Sequence, residues 1–168
     1  KHFAAIATSR DKLLLFDVSA DKQIAELPIT GGSVQPSLQF AGPSRLVRIR
    51  QGQPIEVWNI PSGELEKSID APKYLQKDSL AVTGGGRFVA LAGRKEAGKL
   101  DEIQIFDLDK GELAGVISLA NLGVKNNLTC TGMSFSPDGS ELAGVMRTYE
   151  LGGKSWLIGW DMTSGQEL

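Results

Sequence analysis

The residues able to do chemistry in this chain are few and poorly spaced for it. His2 is the one histidine and Cys130 the one cysteine. A Ser-His-Asp or Cys-His site needs a histidine that takes the nucleophile's proton, and His2 stands at the end of the chain. A zinc site from one His and one Cys needs two carboxylates, and no ligand spacing supplies them. "GGKS" at 152–155 carries the last three letters of a phosphate-binding loop, but Thr148 stands where that loop has its first glycine. The "SWLIGW" that follows reads as a strand instead of the required helix. "TGGGR" at 83–87 aligns with the later turn "SPDGS" and is read as a hairpin turn, not a nucleotide loop. "DLDKGE" at 107–112 begins like a calcium loop, yet Gly111 occupies a position that needs Asp or Asn. Asn127-Leu128-Thr129 is a glycosylation sequon, of consequence only in a secreted eukaryotic protein. The expectation is no catalytic, cofactor-binding or metal-binding residue and no cofactor.

Composition points the same way. The chain has 168 residues, 23% of them charged, and a net charge of −2. That balance gives no electrostatic case for nucleic acid or a membrane surface. No apolar run approaches the roughly 18 residues of a membrane-spanning helix, and Phe3–Ala7 is too short for the core of a signal peptide. A single cysteine suits a reducing cytoplasm, the favoured compartment, and is compatible with a periplasm.

The elements that would position any site come from a repeat. "LLLFDVSADKQIAEL", "IEVWNIPSGELEKSI", "IQIFDLDKGELAGVI" and "LIGWDMTSGQEL" share an aromatic, an Asp or Asn, and a turn. The aromatics are Phe16, Trp58, Phe106 and Trp160. A second anchor lies upstream, where Phe40, Val82 and Phe135 each stand five residues before Arg45, Arg87 and Ser140. Each unit parses into four short strands, a to d, separated by Gly, Pro, Asp or Ser. In the second unit these are roughly 34–40, 45–50, 54–60 and 64–70. In strand c of the third unit both faces are partly apolar, as in a sheet packed between two others. No segment of helical length has a 3.6-residue period, so the chain is expected to be all-β.

Four-stranded units repeating every 40-odd residues are characteristic of β-propeller blades. "VWNIPSGEL", "IFDLDKGEL" and "GWDMTSGQEL" resemble the Trp-Asp exit of WD-repeats, and "MSFSPDGSELAGV" resembles their a–b hairpin in a form familiar from bacterial propellers. The resemblance covers nearly the whole chain. It departs from the family in having no Gly-His dipeptide, so the family's Asp–His–Ser/Thr–Trp network cannot form, and in having Asn59 in place of Asp. It implies an incomplete β-propeller: strands b–d at 1–30, blades at 31–70 and 71–119, and a blade at 120–168 lacking most of strand d. The open edges are expected to be covered by remaining blades of the same chain or by another copy.

In a propeller, b–c and d–a connections share one face of the disc. Sorting charges by this parse leaves bases in excess there and acids elsewhere. The b–c connections "GRKEAGKLDE" and "MRTYELGGKS" are longer than the one in the second unit, and long loops on a rigid scaffold favour recognition. Arg10, Arg94, Lys95, Lys99, Arg147 and Lys154 form the candidate partner-binding rim, suited to an acidic protein surface. The competing reading is a solvated face whose arginines pair with Asp11, Glu96 and Glu150. The expected function is a non-catalytic interaction scaffold. The alternative is the propeller of a quinone-dependent dehydrogenase or a hydrolase-associated protein, with its active site in blades absent here.

Overall fold

Short apolar alternations between turn residues become strands. The computed structural model describes residues 3–7, 12–28, 36–71, 74–94, 100–122, 128–148 and 153–168. Sheet 1 holds β1 (Phe3–Ala7), β2 (Lys12–Asp17) and β3 (Lys22–Pro28). Sheet 2 holds β4 (Ser37–Ala41), β5 (Arg45–Ile49), β6 (Ile55–Asn59) and β7 (Glu64–Ile69). Sheet 3 holds β8 (Tyr74–Val82), β9 (Phe88–Arg94), β10 (Glu102–Asp107) and β11 (Glu112–Ser118). Sheet 4 holds β12 (Leu128–Phe135), β13 (Glu141–Thr148) and β14 (Ser155–Asp161), and a Trp160–Glu167 bridge begins a further pairing. Every sheet is an antiparallel meander in chain order, compatible with propeller-like blades. Among the described residues, no helix is long and apolar enough to cross a membrane.

The sheets pack face to face in sequence order, with one apolar core in each gap. Leu13, Leu15 and Leu27 of sheet 1 meet Leu46, Trp58 and Ile60 of sheet 2. Val47, Ile49, Ile55 and Val57 of sheet 2 meet Val89, Leu91, Phe106 and Leu108 of sheet 3. Ala90, Ala92, Ile103 and Ile105 of sheet 3 meet Leu142, Met146, Ile158 and Trp160 of sheet 4. Strand β10 thus buries alternate residues on opposite sides. Strand β8 lies beside both β4 and β12, and Ser79 donates its hydroxyl to the Cys130 carbonyl at 2.7 Å. Cys130 is buried there, and burial pushes its thiol up, which leaves it an inert filler.

The recurring Asp or Asn has a local task. Its side-chain oxygen accepts amides of the c–d turn: Ala20 on Asp17, Ser62 on Asn59, Asp109 and Lys110 on Asp107, Thr163 and Ser164 on Asp161. An amide oxygen serves as well as a carboxylate, so Asn59 caps its turn as the aspartates do. The same bulge follows in three sheets, at Leu15/Phe16, Val57/Trp58 and Ile105/Phe106.

One alignment expectation needs correction. Leu46 pairs with Trp58, Val89 with Phe106 and Leu142 with Trp160, which makes Arg45 equivalent to Phe88 and Glu141, not to Arg87 and Ser140. The a–b hairpin of sheet 2 is one residue shorter than those of sheets 3 and 4. Arg45 therefore points across to the next sheet and bridges Glu66 at 2.7 Å and Asp109 at 2.6 Å. Arg87 stays within its own sheet and binds Asp107 at 2.9 Å.

Candidate functional site

Strand β5 carries an unusual residue for a core. Its residues Leu46 and Arg48 face sheet 1, and the corresponding positions of sheets 3 and 4 are Leu91 and Gly144. Arg48 is only 2% exposed and lies over the Trp58 ring at 5.0 Å from its centroid. Its Nη1 donates to the Pro28 carbonyl of sheet 1 at 2.6 Å, and its Nε donates to Glu56. Glu56 also accepts from Trp58 Nε1 at 3.2 Å and from Arg50 Nη2 at 3.2 Å. One carboxylate thus serves two buried guanidiniums at the b–c end of sheet 2. Arg50 keeps a second nitrogen, Nη1, that is buried and has no acceptor. Such orphans are rare, because most buried polar groups find a partner.

Glu56 is drawn two ways. Burial pushes its carboxyl up, but the Arg48 hydrogen bond and charge outweigh that and hold it below the usual carboxylate range. Asp107 behaves alike: burial raises it, while Arg87 and the amides of Lys110 and Asp109 bring it below the ordinary value. Both groups therefore have folded-state pKa values under their unfolded values of about 4. Their contribution to stability is complete above that range and is lost as pH falls through the folded values. The melting temperature is expected to hold level from pH 8 to about 5 and to fall below about 4. Asp107→Asn, which keeps the turn cap as Asn59 does, should flatten part of that acid limb. Thermal melts of both proteins across the acid range read the difference.

The sequence-based rim is placed only in part. Arg10, Lys95 and Lys99 lie outside the described residues, as do Asp11, Glu96 and Glu150. Arg94 ends β9, its backbone paired with Tyr74 of β8. Arg147 pairs with Ser155 across β13 and β14 and is exposed. Lys154 is the adjacent residue, held by its amide on Thr148 Oγ1 at 3.2 Å, and is exposed as well. Among the described residues neither Arg147 nor Lys154 has a carboxylate partner. Arg147 shares its strand face with Ala143 and Val145, the face of sheet 4 turned away from sheet 3.

The buried pair Arg48 and Glu56 went unnoticed in the sequence because an Arg beside apolar residues looks like a surface position. The available signal was its place in the alternation, two residues after Leu46 and on the same face. Comparison with protein-family models and with curated proteins finds no match for this chain.

Proposed function

We propose that this chain forms WD-repeat-like β-propeller blades acting as a non-catalytic scaffold, and that its b–c and d–a face receives an acidic protein surface. What carries this reading is an excess of positive charge at the b–c ends among the described residues. Arg48 and Arg50 share one carboxylate, Arg50 Nη1 has no acceptor, and Arg147 and Lys154 stand exposed without a partner among the described residues. An added carboxylate at this face would meet the exposed Arg147 and Lys154, and Arg pairs it bidentately. The repetition of the sheets supports the architecture, and the Asp or Asn of each unit is occupied in capping its own turn.

The test uses a fluorescent poly-glutamate peptide and the Arg147→Ser/Lys154→Ser variant. Both positions are exposed, so stability should change by less than about 0.5 kcal/mol. Binding is expected to weaken several-fold in the variant and to fall with added salt in the parent. Equal binding by both proteins at low and moderate salt would retire the proposal.

A further inference from the structure

At the end of the stack formed by the a–b and c–d hairpins, one crevice recurs in each gap between sheets and is filled differently each time. The strand pairings equate Ile24, Glu66 and Ala114, and next to them Ala25, Lys67 and Gly115. Phe3, Arg45 and Phe88 are likewise equivalent. So are Pro61, Asp109 and Thr163, each two residues beyond the capping Asn or Asp.

Between sheets 2 and 3 the crevice is closed by charge. Arg45 bridges Glu66 and Asp109, and Lys67 lays its stem 3.8 Å from where a Cβ would stand on Gly111 and donates its ammonium to the Asp109 carbonyl. Between sheets 3 and 4 the corresponding side chains are Phe88, Ala114, Gly115 and Thr163, none of them charged. A pocket of about 360 Å³ opens there, lined by these residues with Ile105, Phe135 and Met162 among others. A Cβ on Gly115 would meet nothing within 4 Å.

We propose that the crevice between sheets 3 and 4 receives a lysine side chain of a partner protein, placed as Lys67 is in the neighbouring gap. The stem of such a lysine would run over Phe88, Ile105 and Ala114, an apolar bed suited to its methylenes. The ammonium would reach the Thr163 carbonyl, the counterpart of the Asp109 carbonyl that Lys67 caps. Charge beside the mouth favours a cation: Asp138 and Asp161 adjoin the lining residues Gly139 and Met162 in the hairpins of sheet 4. The Ser136 and Ser140 hydroxyls hold the Asp138 carboxyl down to about 2, so it is ionised throughout the physiological range. The nearby cations are engaged, Arg87 with Asp107 and Lys110 with Glu112. In the gap between sheets 1 and 2 the corresponding pocket, about 220 Å³, already has a lysine, Lys22, in its lining together with Asp17. This site lies on hairpins opposite the b–c ends and does not depend on the function proposed above.

The experiment titrates the whole chain with acetyl-Gly-Lys-Gly-amide and with its norleucine analogue, following backbone amides by NMR. The lysine peptide is expected to shift Gly115, Ser140 and Thr163 with a dissociation constant on the order of 1 mM, and the norleucine peptide to bind at least several-fold more weakly. Gly115→Lys supplies the plug from within and has room for it, so the variant should keep the parent spectrum elsewhere and lose the response. Equal shifts from norleucine, no shift from lysine at those amides, or an undiminished response in Gly115→Lys would each overturn the proposal.

Discussion

Replacing Glu56 by Gln is expected to cost about 3–5 kcal/mol, since removing one partner of a buried ion pair strands the other charge. The substitution keeps size and one acceptor oxygen but leaves Arg48 and Arg50 buried with no counter-charge. Arg48 cannot escape to water, because it is stacked on Trp58 and anchored to the Pro28 carbonyl of the preceding sheet. Against a total stability of roughly 5–15 kcal/mol, that loss is large enough to unfold a weakly stable chain. Urea unfolding measures it as a lower midpoint at unchanged slope. Glu64→Gln, on the exposed strand β7, should change little. The triple change Arg48→Met/Glu56→Gln/Arg50→Met removes the stranded charges together and should recover much of the loss, as apolar replacement of buried ion networks does. A single variant as stable as the parent would mean that the cluster is wetter than its burial indicates.

Gly86→Ala is expected to be comparably damaging, for a different reason. Gly86 has φ +72, a conformation costing an L-residue about 1–2 kcal/mol. It also sits where hairpins of two sheets touch: an added Cβ would lie 2.4 Å from the Ala41 carbonyl carbon and 2.5 Å from its oxygen. Both are main-chain atoms that no rotamer change can move, so sheets 2 and 3 must part. A total of about 3 kcal/mol or more follows from the two effects together. Gly52→Ala separates them. Gly52 has φ +71 but nothing within 4 Å of the added atom, so only the conformational part of about 1–2 kcal/mol should appear. Equal losses at the two glycines would show that the contact between sheets 2 and 3 contributes nothing at this end.

Much of this architecture could be read from residues alone. The aromatic and the Asp or Asn of each unit located strands β2, β6, β10 and β14, and the upstream anchor located β4, β8 and β12. The expected strands of the second unit differ from the observed ones by a few residues at most. Trp58 and Trp160 do pack between sheets, because a strand covered on both faces must bury its aromatic in one gap or the other. Three features escaped. The equivalence of Arg45 with Arg87 failed because one hairpin is a residue shorter, and a one-residue slip in a strand reverses which face a side chain takes. The burial of Arg48 was hidden because its apolar neighbours on β5 face different gaps. The crevice at Gly115 was hidden too, since it exists only by contrast with Lys67, and that comparison requires the bulge position in each sheet. For the rim, Arg147 and Lys154 are exposed and have no carboxylate partner among the described residues, while Arg10, Lys95 and Lys99 fall outside them.

The account rests on four sheets stacked in sequence order with the same end of each in contact. Three glycines mark the successive gaps at that end: Gly63 against Ala25, Gly86 against Ala41, and Gly139 against Thr83. A single NOESY spectrum of the labelled chain tests all three. The stack predicts cross-peaks from the Gly63 Hα to the Ala25 methyl, from the Gly86 Hα to Ala41 and Gly42, and from the Gly139 Hα to the Thr83 methyl. Loss of these three while cross-strand peaks within each sheet persist would contradict it.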